Sequence, residues 1–113
     1  VTGEAAGYRV GEDVLSPDGA FTREKPAREG FSPTAPLLAI EVISPSDKSA
    51  DVMRKLRKYS AAGVLVWVVY PQQRIVDIWQ PGQPVQSLTQ DADLTAPEIL
   101  PGFRFAIRTL FTD

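Results

Sequence analysis

The sequence contains neither cysteine nor histidine. Without cysteine it has no disulfide framework and no thiolate metal site. Without histidine it lacks the usual zinc ligand, the Ser-His and Cys-His catalytic pairs and the customary general base near neutral pH. Any chemistry must draw on carboxylates, lysine, tyrosine and hydroxyl groups, and such a site favours a hard cation, Mg²⁺ or Mn²⁺. An excess of basic charge is also missing, since 12 Lys and Arg stand against 14 Asp and Glu for a net charge of −2. That excludes a protein that coats nucleic acid by bulk positive charge, although a local basic groove is compatible with it. Nor is there a long apolar run. The longest, Gly63 to Tyr70, is far too short to span a bilayer, and no secretory signal is visible. A cytoplasmic protein with no membrane partner is expected.

What is present fits one small globular unit. The 113 residues are 43% hydrophobic, enough for one core and little more, so residues 1–113 are read as a single domain. The chain begins at Val1 rather than methionine, and an upstream segment is expected to be missing.

Gly7 to Val10 reads as a short strand, Ser16-Pro17-Asp18 as a turn, and Gly19 to Thr22 as a second strand. Residues 23–36, with three prolines and five charges, read as a surface loop. Pro36 to Ser44 (PLLAIEVIS) is nearly continuous in apolar residues, as expected of a strand buried on both faces. Ser44-Pro45-Ser46-Asp47 stops it and offers caps for a helix. The spacing of Val52, Leu56 and Tyr59 predicts an amphipathic helix over Asp47 to Ala62, ended by Gly63. Val64 to Tyr70 is a second buried strand, parallel to the first across the helix. Arg74 to Trp79 alternates and should pair antiparallel with it, and Val85 to Leu88 adds an edge strand. Leu94 to Phe105, broken by Pro97, Pro101 and Gly102, reads as an irregular return, and Ile107 to Phe111 as a short terminal helix. The fold class is α/β, with a mixed sheet and a crossover helix.

Glu41 interrupts a buried strand. A carboxylate there is costly unless it is paired, hydrogen-bonded or bound to a metal, and a functional site and a structural ion pair are equal readings of it. Asp18 in Ser-Pro-Asp-Gly is by itself an ordinary turn aspartate. Asp51, Lys55 and Tyr59 form one helical stripe at four-residue spacing. Tyr59 belongs also to the apolar set, so Lys55 borders the buried face. Arg54, Lys55, Arg57 and Lys58 make a basic cluster, either a solvated face or a phosphate-binding edge. Trp67 and Trp79 read as packing residues.

Taken together, these segments resemble the Uma family of endonucleases in the PD-(D/E)XK restriction-endonuclease-like superfamily. The resemblance runs through Ser16-Pro17-Asp18 with Ala20-Phe21, Ile40 to Asp47 (IEVISPSD), and Asp51, Lys55 and Tyr59. It continues through Ala62-Gly63-Val64 and Val66 to Pro71 (VWVVYP), then Leu100 to Phe103 (LPGF) and Leu110-Phe111. It implies that Asp18 and Glu41 are metal-binding catalytic acids, Glu41 being the acid of the (D/E)XK element. The lysine of that element normally stands two residues later, where this chain has Ile43. The resemblance implies that it has moved to the following helix, as Lys55, with Asp51 and Tyr59 holding Lys55 in position. Leu37 stands where the family often has an acid. Family members also carry an upstream helical segment and strands, so the chain is expected to be the C-terminal, catalytic portion of the fold.

The implied activity is Mg²⁺- or Mn²⁺-dependent hydrolysis of phosphodiester bonds, with nucleic acid, DNA first, as partner and a second copy of the chain covering exposed apolar sheet. The alternative is a catalytically inactive binding or assembly module on the same fold. Three lysines lie near Glu41 in sequence. Lys48 falls in the helix's first turn, where its dipole disfavours a cation, and Lys58 lies about 300° around the helix from Lys55. Lys55 is therefore expected to reach Glu41, and Lys58 to face solvent.

Overall fold

The apolar run at the centre of the chain forms β6 (Leu65–Tyr70), buried from Leu65 through Val69. In the computed structural model, which describes residues 7–22 and 30–111, β6 is the middle strand of a five-stranded mixed sheet. On one side lie β5 (Leu38–Val42) and the outer β3 (Gly19–Phe21), and on the other β7 (Ile75–Trp79) and the outer β8 (Gln86–Thr89). β5 and β6 are parallel, with Leu38 opposite Leu65 and Val42 opposite Val69. The helix α1 (Ser49–Ala61) connects them, because parallel neighbours need a crossover. The remaining pairs of this sheet are antiparallel. The architecture is α/β, as the residue pattern implies.

Two-residue alternation sorts these strands into two cores. Ala39, Val66 and Val68 pack with Leu56 and Tyr59 of α1 and with Tyr8 and Val10 of β1 (Gly7–Val10). Each such fully buried large side chain contributes about 1.5–3 kcal/mol. β1 pairs with β2 (Asp13–Leu15) and, in parallel, with β4 (Phe31–Ser32). On the opposite face Leu38, Trp67, Val69 and Val76 pack against Leu94, Ala96 and Ile107. Trp67 is a packing residue, stacked on Phe103 at 6.1 Å between centroids. Because Glu41 shares the alternation of Ala39, it lies on the α1 side of the sheet.

Three local expectations change. Residues 94–105 are not an irregular return: β9 (Asp93–Ala96) and β10 (Leu100–Ala106) form an antiparallel hairpin covering the second core. The register shifts between Leu100 and Phe105, and Gly102 takes the left-handed φ of 80° inside that irregularity, which a side chain would strain. The segment 23–36 contains β4 near its end, while 23–29 lie outside the described residues. Finally, Ser44 to Asp47 does not cap α1. Asp47 Oδ2 accepts the Ser44 N–H at 2.7 Å and Asp47 N–H donates to Ser44 O at 3.0 Å, closing a turn on itself. Lys48 is the cap, with no side-chain bond. The other end of the helix behaves as its sequence implies. Gly63 at φ 79° lets its own N–H reach Ser60 O and the Val64 N–H reach Tyr59 O, which satisfies carbonyls the helix would leave open.

Candidate active site

Glu41 lies one residue before the end of β5 with its carboxylate turned toward α1. It is buried, at 8% exposure, and both oxygens are held from the helix. Lys55 Nζ donates to Oε1 at 3.0 Å, and Tyr59 Oη donates to Oε2 at 3.0 Å. The two donors sit four residues apart, so one turn of α1 presents both to the same carboxylate. Asp18 arrives from the other side. Pro17 is fully buried and fixes the chain's entry to β3. The Asp18 N–H donates to Ile40 O at 2.9 Å, and its Oδ2 accepts the Val42 N–H at 2.7 Å. Asp18 thus clasps the backbone on either side of Glu41. Lys55 Nζ also donates to Ser16 O at 3.0 Å, tying the turn that carries Asp18 to the helix.

These groups line a cleft of about 270 Å³ that includes Asp18, Glu41, Asp47, Asp51 and Lys55. Burial holds the Glu41 carboxyl above its ordinary value of 4.5; the bond to and charge of Lys55 and the bond from Tyr59 oppose the rise, and Asp18 adds to it. Burial also raises the Tyr59 phenol, reinforced by the charge of Glu41, so Tyr59 serves as a hydrogen-bond donor.

The structure brings Asp18, Glu41, Lys55 and Tyr59 together. It assigns two neighbours differently from the sequence reading. Asp51 lines the cleft, but its carboxylate is bound by Arg54 at 2.8 Å and does not hold Lys55. Tyr59 holds Glu41 rather than Lys55. Lys58 does not simply face solvent; it is half-exposed and pairs with Asp13 at 3.3 Å. Asp47 is a further cleft carboxylate, and its place after Ser-Pro-Ser carries only the signal of a helix cap. Among the described residues no cluster of three or more acidic side chains could hold a metal ion.

The donor chemistry nevertheless fits a hard cation. Asp18 Oδ1 has no other protein partner among the described residues, and each Glu41 oxygen keeps a lone pair beyond its single donor. Mg²⁺ is commonly held by one or two carboxylates, with water and substrate phosphate completing its six positions. The family described as "Uma2: Putative restriction endonuclease" matches residues 1–108. The chain belongs to the Uma2 family. The Uma2 fold recurs in a solved structure described as "a putative nuclease belonging to DUF820 from Anabaena variabilis ATCC 29413". Its TM-score is 0.76 at 22% identity, over 93% of this chain and 64% of that one. At that identity the likeness is one of fold, and this chain spans less than two thirds of that protein's length. No curated protein matches the chain.

Removal of the Tyr59 hydroxyl gives a test of the site's internal packing. Tyr59→Phe leaves the buried Glu41 Oε2 without its donor and is expected to lower unfolding free energy by about 1–3 kcal/mol. Urea denaturation measures it, and an unchanged midpoint would show that water replaces the hydroxyl without cost.

Proposed function

We propose that this Uma2 chain is the catalytic portion of a Mg²⁺- or Mn²⁺-dependent endonuclease that hydrolyses phosphodiester bonds, with DNA as substrate. The observation that carries the proposal is a buried glutamate, beside an aspartate and in an open cleft, gripped by a lysine and a tyrosine. Asp18 and Glu41 would hold the metal ion. When bound, such an ion lowers the pKa of a water and offsets charge on the phosphate. Lys55 stands with its ammonium at the Glu41 oxygen, where it can orient the attacking water and neutralise charge as it develops on the phosphate oxygens. Tyr59 keeps the Glu41 carboxylate in one rotamer.

The test is nicking of supercoiled plasmid with Mg²⁺ or Mn²⁺. Nicked product is expected, lost with EDTA and in Asp18→Ala. A folded protein that binds Mn²⁺ yet leaves plasmid intact in both metals would overturn the hydrolase reading and favour a binding module. No helix among the described residues is long and apolar enough to cross a membrane, and a DNA substrate puts the proposed work in the cytoplasm.

A second copy of the chain is the proposed cover for the apolar surface that the β9–β10 layer leaves exposed on the side opposite α1. There Val42 is 46% exposed, Phe105 37% and Leu110 41%, next to an apolar hollow lined by Ile40, Trp67 and Val69. Contiguous exposed apolar surface of this kind marks contact sites. Sedimentation velocity is expected to show a dimer at micromolar concentration that Leu110→Asp converts to monomer. A clean monomer for the unaltered chain would sink the idea.

A further inference from the structure

The candidate cleft presents a charge problem to its proposed substrate. It is lined by four carboxylates, Asp18, Glu41, Asp47 and Asp51, against one lysine. A polyanion approaching it needs cations close by. The helix that forms one wall supplies them. Ser49–Ala61 carries Arg54, Lys55, Arg57 and Lys58 against Asp51 alone, a net of +3 in a chain whose net charge is −2.

Their order around the helix connects them to the cleft. At about 100° per residue, moving away from the sheet, Lys55 is followed by Asp51, Lys58, Arg54 and Arg57. The cations thus run from the cleft edge to the outermost face of α1. There a shallow groove of about 590 Å³ is lined by Ala50, Met53, Arg54, Arg57, Lys58 and Ala61. Lys58 is engaged by Asp13. Arg54 is held only through an exposed pair with Asp51, both side chains being more than half exposed, and such pairs are weak and readily exchanged. Arg57 is exposed and has no carboxylate partner among the described residues. The alanines at either end are short, so a partner can approach the helix closely.

We infer that the outer face of α1 is a docking surface for the phosphate backbone of duplex DNA, with Arg54 and Arg57 as its phosphate contacts. The inference rests on the nuclease reading above and extends it to residues outside the cleft. Guanidinium groups match phosphate oxygens two at a time. The lining offers no aromatic ring on which an unpaired base could stack, so the surface fits a paired backbone read without regard to sequence. When phosphate arrives, Arg54 exchanges Asp51 for it.

The experiment measures binding of a short fluorescein-labelled duplex DNA of mixed sequence, in EDTA, across a range of salt. The variants are R54A/R57A and a control, R104A/R108A, which removes equal charge from the layer across the sheet. R54A/R57A is expected to bind roughly tenfold more weakly, and its log-log salt slope should fall by about two, one per lost phosphate contact. Its melting temperature and Mn²⁺ affinity should be those of the unaltered chain, and the control should bind as the unaltered chain does. An unaltered slope in R54A/R57A, an equal loss in the control, or no duplex binding by the unaltered chain overturns the inference. Tighter binding of the single strand, or of an RNA duplex, through the same arginines overturns its assignment to duplex DNA. Because the measurement needs no cleavage, the two readings fail separately. Binding through these arginines without plasmid nicking leaves this inference standing and removes the hydrolase, whereas nicking with undiminished affinity in R54A/R57A does the reverse.

Discussion

Glu41→Gln is expected to abolish Mn²⁺ binding in titration calorimetry and to cut metal-dependent cleavage on the order of 10³-fold, while the protein melts at the same temperature or higher. The loss follows from the metal's contribution of several kcal/mol, at about 1.4 kcal/mol per tenfold in rate. The retained stability follows from burial. The Glu41 carboxyl is held above 4.5 chiefly because its ionised form is desolvated, so at neutral pH the ionised form costs the fold. Glutamine keeps an acceptor oxygen for Lys55 and offers its N–H to the Tyr59 oxygen once that hydroxyl turns, while the Lys55 ammonium left without its counter-charge keeps water contact at 29% exposure. The sign with pH follows. Between 4.5 and the raised folded value, the native state binds the proton that the unfolded state has released. Stability of the unaltered protein therefore rises, through this group, as pH falls through that window, and any advantage of the variant narrows. Metal affinity moves oppositely, because the cation needs the ionised carboxylate and weakens as pH falls through the same window. A melting temperature several degrees lower in Glu41→Gln would instead mark the Lys55–Glu41 pair as a structural ion pair.

The parts of the fold legible in the sequence are those where one physical signal dominates. β5 and β6 are apolar on both faces because both are covered, so their runs are nearly continuous. α1 shows its buried stripe through Leu56 and Tyr59. Glu41 is conspicuous against that background because a lone acid in a buried run must be paired, hydrogen-bonded or bound to a metal. The β9–β10 hairpin is not legible in the sequence, for the converse reason. Pro97, Pro101 and Gly102 interrupt its alternation, and its strands pair only with each other, so the ordering comes from packing over Trp67 and Val69 rather than from a local pattern. β4 is two residues long and depends on β1, more than twenty positions away, for its hydrogen bonds.

The site divides along the same line. Spacing places Asp51, Lys55 and Tyr59 on one stripe, but it cannot say which partner each prefers. Asp51 has Arg54 at three residues and Lys55 at four, and both are acceptable helix pairs. The buried carboxylate of Glu41, brought from another strand, takes Lys55 and leaves Asp51 to Arg54. That competition is tertiary. The same holds for Asp18, whose role as acceptor for the Val42 N–H exists only because β3 begins beside the end of β5.

Lys55→Ala is expected to lower kcat at saturating DNA by about 10²–10³-fold, the usual cost of removing one charged or hydrogen-bonding group aimed at a transition state. Lys58→Ala, which loses only the half-exposed pair with Asp13, should keep kcat within about threefold, since such pairs contribute little. Geometry separates the lysines of this helix: Lys48 caps it with no side-chain bond, Lys58 faces β2, and Lys55 alone touches Glu41. Lys55 has a second attachment, to Ser16 O, so a lower rate in Lys55→Ala could arise by loosening the turn that carries Asp18. The two causes leave opposite marks on metal binding. A displaced Asp18 would weaken Mn²⁺ affinity together with the rate. Loss of the ammonium alone removes a cation that competes for Glu41 Oε1, so Mn²⁺ affinity should stay the same or rise while kcat falls. That split, a lost rate with retained metal, is the expected result. Equal kcat in Lys55→Ala and Lys58→Ala would remove Lys55 from the chemistry and leave it a fastening between α1, β5 and the Asp18 turn.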